Sequence, residues 1–221
     1  MDPFTRLEGP AAPLLLANID TDVIIRIERL TAGDRAALGG YAFESLRFQP
    51  DGAENPHFIL NQSPFRTAPI LLAGPNFGCG SSREGAVWAL ASRGVRCVIA
   101  DGFGDIFASN CFQNGVLPIS LPEAMVLEIA ATAQQGAPMT VDLAAQTVAV
   151  GNHHWDFPID PHRKQALLEG LDDLGLSLKA MPEVRDWQRA DQGRRPWLWR
   201  AVALDAGHPY FHPMPLESPM S

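Results

Sequence analysis

No stretch of this 221-residue sequence approaches the roughly 18 consecutive apolar residues that a membrane span needs. Nor does its N-terminus carry the basic stretch and apolar run of a secretory signal. A soluble, cytoplasmic protein with no membrane partner is the expectation. Positive charge is also scarce, with 17 Lys and Arg against 25 Asp and Glu and a net charge of −8. A nucleic-acid surface needs clustered cations to neutralise phosphates, so this balance argues against a nucleic-acid partner. A few local cations still suffice for a small anionic substrate. Cysteine is rare and scattered: Cys79, Cys97 and Cys111 stand 18 and 14 residues apart without a C-x-x-C pair. That spacing signals neither a zinc site nor a disulfide framework, and reduced cytosolic thiols with no metal on this chain are expected.

Hydrophobic residues make up 46% of the chain, enough for one globular core. We expect one domain over residues 1–190 and a C-terminal tail over 191–221. After a Pro-rich start, residues 14–17 read as a short buried strand, and Asp20-Thr21-Asp22 as a turn or helix cap bearing two carboxylates. Residues 31–56 read as an irregular loop with a short helix near Arg35 to Leu38, a length that usually carries function. Then a strand at 70–73, a glycine-rich turn at 74–80, a helix at 84–92 with Gly94 just beyond it, and a strand at 95–100 make a βαβ unit. A second round follows: a loop at 101–104, a helix from Asp105 to about Gln113, a stop at Gly115 and a strand at 116–119. Right-handed crossovers would make the three strands parallel neighbours or near neighbours, with both helix N-termini on one sheet edge. Residues 139–143 and 147–150 alternate like a hairpin, and His153-His154 reads as the turn after it. Asp160-Pro161 opens a helix with Leu167, Leu171 and Leu174 on one face. The tail holds one basic-aromatic patch: Arg194, Arg195 and Arg200 with Trp197 and Trp199.

The chemistry concentrates in residues 76–84, NFGCGSSRE. Lying between a strand and a helix, their backbone N–H groups and the positive helix end face one small volume, which suits a carboxylate or phosphate. Ser81 and Glu84 also fit a capping box, in which the hydroxyl bonds the backbone N–H three residues on; this purely structural role stands beside a catalytic one. Gly78 and Gly80 let a ligand approach the backbone, and Arg83 forks onto carboxylates; a plain cap needs neither. With no lysine nearby the segment is not a phosphate loop, and without a second glycine in register or a neighbouring histidine it is not a nucleophile elbow. Cys79 fits a small packed residue, and Cys97 and Cys111 fit the core.

The run NFGCGSSREGAVWALASRGVRCVIADGFGDIFASNCFQNGVLPI resembles the signature of 3-isopropylmalate dehydratase small subunits, the swivelling domain shared with aconitase. NIDTDVII at 18–25, NPHFILNQ at 55–62 and IDPHRKQALLEGLDDLGLSL at 159–178 are similar to the same family, in the expected order. The resemblance implies an α/β fold of the three-layer β/β/α swivelling type, as in the aconitase C-terminal domain. It also implies a partner: a large subunit carrying a 4Fe–4S cluster, in a heterodimer or heterotetramer, with no cofactor bound by this chain. The implied reaction isomerises 2-isopropylmalate to 3-isopropylmalate by dehydration and rehydration, a step of leucine biosynthesis, with cluster iron as Lewis acid. Matched residue by residue, Ser81 corresponds to the serine that abstracts the proton beside a substrate carboxylate. Ser82 and Arg83 correspond to neighbours that stabilise that serine and bind the small dicarboxylate substrate, and Asp22 to an active-site aspartate. Gly80 and Asn76 complete the expected substrate-binding positions.

The sequence departs from that pattern at Gly85, where the family usually has histidine, and at Arg26, where proline is frequent. The segment 29–48, expected to shape substrate choice, matches loosely, and the tail from about Asp191 exceeds the usual end. Two other readings stay open. One is a sister hydro-lyase acting on another alkyl-malate, of the dimethylmalate or citramalate type. The other is a non-catalytic RNA-binding or interaction module using the basic-aromatic patch.

Overall fold

The computed structural model describes residues 1–31, 34–133 and 136–199. Its strands are β1 (Arg6–Leu14), β2 (Ile70–Ala73), β3 (Cys97–Ala100), β4 (Leu117–Ser120), β5 (Pro138–Asp142), β6 (Thr147–Val150) and β7 (His153–Asp156). They form one sheet in the order β4-β3-β2-β1-β5-β6-β7. β1 to β4 run parallel, while β5, β6 and β7 are antiparallel to their neighbours. β1 belongs to both halves: Arg6–Pro10 pair with β5, and Ala11–Leu14 pair with β2. Pro10, which has no N–H to give a ladder, falls where the strand changes partner.

The helices are α1 (Thr21–Ile24), α2 (Ile27–Leu30), α3 (Glu44–Arg47), α4 (Glu84–Ser92), α5 (Asp105–Gln113), α6 (Glu123–Ala133), α7 (Pro161–Glu169), α8 (Asp173–Lys179) and α9 (Met181–Arg194). Every residue of β2 and β3 is buried, as expected of parallel strands covered on both faces. Alternate residues serve two cores. Leu71, Ala73, Val98 and Ala100 pack with Ala86, Val87 and Leu90 of α4 and Phe107 of α5. Ile70, Leu72, Cys97 and Ile99 pack instead with Val126, Ile129 and Ala130 of α6 and with Met139, Val148 and Trp155 of the antiparallel half. α6 touches β1, β2, β3 and β6, so it lies against both halves of the sheet.

The chain divides into two compact units, Met1–Leu176 and Ser177–Ser221. In the second, the Asp191 carboxylate accepts from Arg195 Nε at 2.8 Å and from Trp199 Nε1 at 2.9 Å. Two members of the basic-aromatic patch are thus engaged in a local knot at the end of α9. Arg200 and the rest of the expected tail, 200–221, lie outside the described residues. α9 itself runs across position 191. Among the described residues no helix is long and apolar enough to cross a membrane.

Local expectations met different fates. The strands at 70–73, 97–100 and 117–120 and the helices at 84–92 and 105–113 stand essentially where the pattern puts them. The strand expected at 14–17 lies earlier: β1 ends at Leu14, and Leu15 and Leu16 are exposed. His153-His154 is not a turn. Gly151, at φ +56, makes the turn, and the histidines open an edge strand whose one buried residue is Trp155. α7 stops at Gly170, φ +70, so Leu171 and Leu174 do not extend its Leu167 face. The irregular segment holds the expected short helix, a 3-10 turn at Arg35–Gly40. Arg47 pins this segment from inside: its Nη1 donates to the Gly40 and Ala42 carbonyls, and its own carbonyl accepts from Asn61 Nδ2 at 2.7 Å. Burial pushes its guanidinium below the usual range, as removal of a charge from water requires.

Candidate active site

Loops leaving the C-terminal ends of β1, β2 and β3 meet at one edge of the parallel strands, the position at which open α/β sheets offer a crevice. Backbone hydrogen bonds lace them together. Asn18 N donates to Pro75 O at 2.9 Å, Gly78 N to Ile19 O at 2.7 Å, and Thr21 N to Cys79 O at 3.0 Å. From the other side, Phe77 N donates to Gly102 O and Gly104 N to Phe77 O, both at 3.0 Å. The glycine-rich turn is therefore the middle of three tied loops.

Within it the two glycines differ in purpose. Gly78, at φ +70, is buried, and a Cβ there would lie 2.2 Å from the Phe107 ring, so its lack of a side chain serves packing and not ligand approach. Gly80, at φ +93, is exposed; a Cβ there would meet nothing closer than Asp20 Cβ at 3.4 Å. Of the pair expected to admit a ligand, only Gly80 faces open space.

The capping role proposed for Ser81 is absent. α4 begins at Glu84 with Arg83 as its cap residue and no side-chain cap hydrogen bond. Glu84 accepts from Asn114 Nδ2 at 2.9 Å. Ser81 is exposed, and Thr21 Oγ1 approaches its hydroxyl at 3.4 Å. The two carboxylates of Asp20-Thr21-Asp22 also divide. Asp20 is a helix cap, its Oδ1 accepting from Val23 N at 2.8 Å, whereas Asp22 forms an ion pair with Arg83.

The structure therefore brings together Ser81, Arg83, Asp22 and Gly80, with Ser82 next in the chain and exposed. Asn76, at φ +58, donates its side-chain amide to Asn18 Oδ1 at 2.8 Å, a contact that ties the turn to the β1 loop. Sequence reasoning missed Thr21, whose side chain is 1% exposed yet reaches Ser81; its only signal was its place between two carboxylates. It also missed that Leu30 covers Gly85: a Cβ at 85 would lie 2.4 Å and 2.7 Å from the two Leu30 methyl groups. The space in which a histidine would stand is occupied by leucine. A cleft of about 670 Å³ is lined by Tyr41, Glu44, Ser45 and Phe48 of the loosely matching segment 29–48, together with Arg26 and Gln49 on either side of it.

These residues do not fit an iron–sulfur cluster. Cys97 and Cys111 are fully buried, and burial raises both thiols far above their usual range, which keeps them protonated. Among the described residues no three His, Cys, Asp or Glu side chains gather as a metal-binding group.

A serine and an arginine are presented by the turn after a parallel strand, in a mixed sheet with helices on it. A family model described as "Aconitase C-terminal domain" matches residues 1–124, and one described as "LeuD_N" matches residues 128–161. Within that class the chain belongs to the 3-isopropylmalate dehydratase small-subunit family. It is 47% identical over 201 residues to the small subunit of Roseobacter denitrificans, covering 90% of this chain and all of that one. The small subunits of Rhodospirillum centenum and Rhodopseudomonas palustris are each 48% identical over 200 residues, covering 89% of this chain and 98% and 100% of theirs. A crystal structure of 3-isopropylmalate dehydratase from Methanocaldococcus jannaschii shares the fold, with a TM-score of 0.61 at 23% identity over 82% of this chain and 99% of that one.

Proposed function

We propose that this chain acts in the cytoplasm as the small subunit of a heteromeric 3-isopropylmalate dehydratase, with Ser81 as its base. The large subunit would carry the 4Fe–4S cluster, and the pair would interconvert 2-isopropylmalate and 3-isopropylmalate in leucine biosynthesis. One observation carries the reading: Ser81 has no capping duty and stands on an open edge beside the Asp22–Arg83 ion pair. A reactive group set on an exposed edge is half a site, and it needs a second surface to exclude water.

The chain's own part follows from its chemistry. A serine hydroxyl is too weak an acid to serve as a base near neutral pH without a positive field. Arg83 and the amides opening α4 supply that field, and a dry, closed site would strengthen it. A guanidinium has five N–H donors, so pairing with Asp22 through Nη1 leaves others for a substrate carboxylate. Asp22 aims Arg83, Arg83 holds the carboxylate, and Ser81 takes the proton from the carbon beside it.

The test is reconstitution with a cluster-bearing large subunit, followed by assay on a panel of 2-alkylmalates. Ser81→Ala should assemble normally and lose turnover; full activity in that variant refutes the role of Ser81. A second reading, a sister hydro-lyase for another alkyl-malate, draws on Leu30 covering Gly85, and the same panel decides it.

A further inference from the structure

Thr21 is the first residue of α1 and is 1% exposed, yet its hydroxyl faces the turn that carries Ser81. Thr21 Oγ1 lies 3.0 Å from the Ser81 carbonyl oxygen and 3.4 Å from Ser81 Oγ. A threonine hydroxyl has one proton, and a carbonyl only accepts. The Thr21 proton therefore goes to the Ser81 carbonyl, and in the longer contact Ser81 donates and Thr21 accepts. The Ser81 proton is thus aimed at a buried oxygen, which turns the Oγ lone pairs toward the open side of the site.

From this geometry we infer that Thr21 is the positioning residue for Ser81 and the switchable donor that supports its alkoxide. The inference rests on the reading of Ser81 as base. When the Ser81 O–H swings away from Thr21 to the open side and gives its proton to a water there, leaving an alkoxide and a hydronium that solvent carries off, the Thr21 hydroxyl rotates about its own C–O bond. Its proton leaves the Ser81 carbonyl and points at the alkoxide. When the alkoxide takes the substrate proton, Thr21 turns back, and no covalent bond of Thr21 changes. The 3.4 Å contact is long for a neutral hydroxyl pair and shortens readily once one oxygen is charged. Burial of Thr21 makes the donor worth more, because little water competes for the alkoxide from that side.

The experiment uses the assembled holoenzyme with Thr21→Val, which keeps the shape and removes the hydroxyl, and Thr21→Ser, which keeps the hydroxyl. The expected result for Thr21→Val is a kcat lower by about 100-fold at nearly unchanged KM, the low end of the roughly 100- to 1,000-fold loss seen when one donor to a catalytic oxyanion is removed. Its pH–kcat profile should move about one unit to higher pH, since an alkoxide without its donor forms less readily. Thr21→Ser should recover most of the rate and the original profile. A wild-type rate and profile for Thr21→Val overturn the inference, as does a Thr21→Ser enzyme equally slow. So does an assembly defect with unchanged kcat per assembled complex. Should Thr21→Val not assemble, Thr21→Ala takes its place, and equal rates for Ala and Ser overturn the claim. Ser81→Ala, run alongside, separates the two levels. An inactive Ser81→Ala with a normal Thr21→Val removes only the role of Thr21, whereas an active Ser81→Ala removes the base itself.

Discussion

Asp22 and Arg83, 61 residues apart in the chain, form an ion pair that joins the segment after β1 to the turn after β2. Asp22 is 53% exposed and Arg83 20% exposed. Pairs this open contribute little to stability, because water and salt screen them. On the role proposed for Arg83, the pairing would serve to aim the guanidinium more than to hold the fold. Arg83→Lys should lower kcat/KM of the assembled enzyme by about 100-fold, since an ammonium cannot fork onto a carboxylate. Melting temperature should change by no more than about 3 °C. A large fall in melting temperature with intact kinetics would assign the pair a structural role instead.

Gly78 makes the opposite prediction. A methyl group there would run into the Phe107 ring at 2.2 Å, on a backbone at φ +70 that side chains avoid. Gly78→Ala should cost roughly 2–4 kcal/mol through combined strain and overpacking. Gly80→Ala shares the positive φ but meets no such wall. It should be the more stable of the two variants in urea titration, and the loss it shows should fall on turnover.

What was legible in the sequence was local. β2, α4 and α5 are bounded by glycines and by apolar runs, and those signals act within a few residues, so their limits came out nearly unchanged. β1 was hidden because Pro10 reads as a strand breaker, and only the change of partner from β5 to β2 makes it tolerable there. β7 was hidden because two exposed histidines on an edge strand carry no hydrophobic alternation. In the site, the residue types at 80–83 were readable, but whether Ser81 caps a helix depends on whether that helix starts at residue 82 or 84. Backbone hydrogen bonds from the β1 and β3 loops hold the turn in place. The Asp22–Arg83 and Thr21–Ser81 contacts arise from that same lacing, which no local pattern encodes.

Arg29 grips Glu44 through both carboxylate oxygens, with Nε to Oε2 at 2.9 Å and Nη2 on Oε1. This hydrogen bonding, ahead of the direct charge attraction, holds the Glu44 carboxyl below its usual range. A depressed folded-state value means stability that is present above the unfolded carboxyl value and is lost as pH falls through the folded one. Between pH 6 and 8 wild type should melt about 1–3 °C above Glu44→Gln. That gap should begin to narrow as pH falls past the unfolded carboxyl value and close once the folded carboxylate, held lower, takes up its proton. A gap of the same size at every pH down to acid unfolding would mean that the charge contributes nothing.

Leu30 and Gly85 form a close contact that a larger side chain at 85 would break. Leu30 ends α2, and its methyl groups occupy the volume above the second residue of α4, three residues from Ser82. Gly85→His must displace that side chain, at roughly 1–3 kcal/mol for overpacking. Because the clashing atoms are the far end of a flexible side chain, removing them should relieve most of the cost. The double variant Leu30→Ala/Gly85→His should then be more stable than the sum of the single losses by about 1 kcal/mol or more. Its activity should change in kind as well as amount. Exchanging the half-buried Leu30 methyl groups for an imidazole removes apolar surface that, set against a substrate methylene, would be worth roughly 1–3 kcal/mol of discrimination. The ratio of kcat/KM between 2-isopropylmalate and a smaller 2-alkylmalate should therefore move by at least about tenfold in the double variant. An unchanged ratio would show that Leu30 packs the helix and leaves the substrate alone.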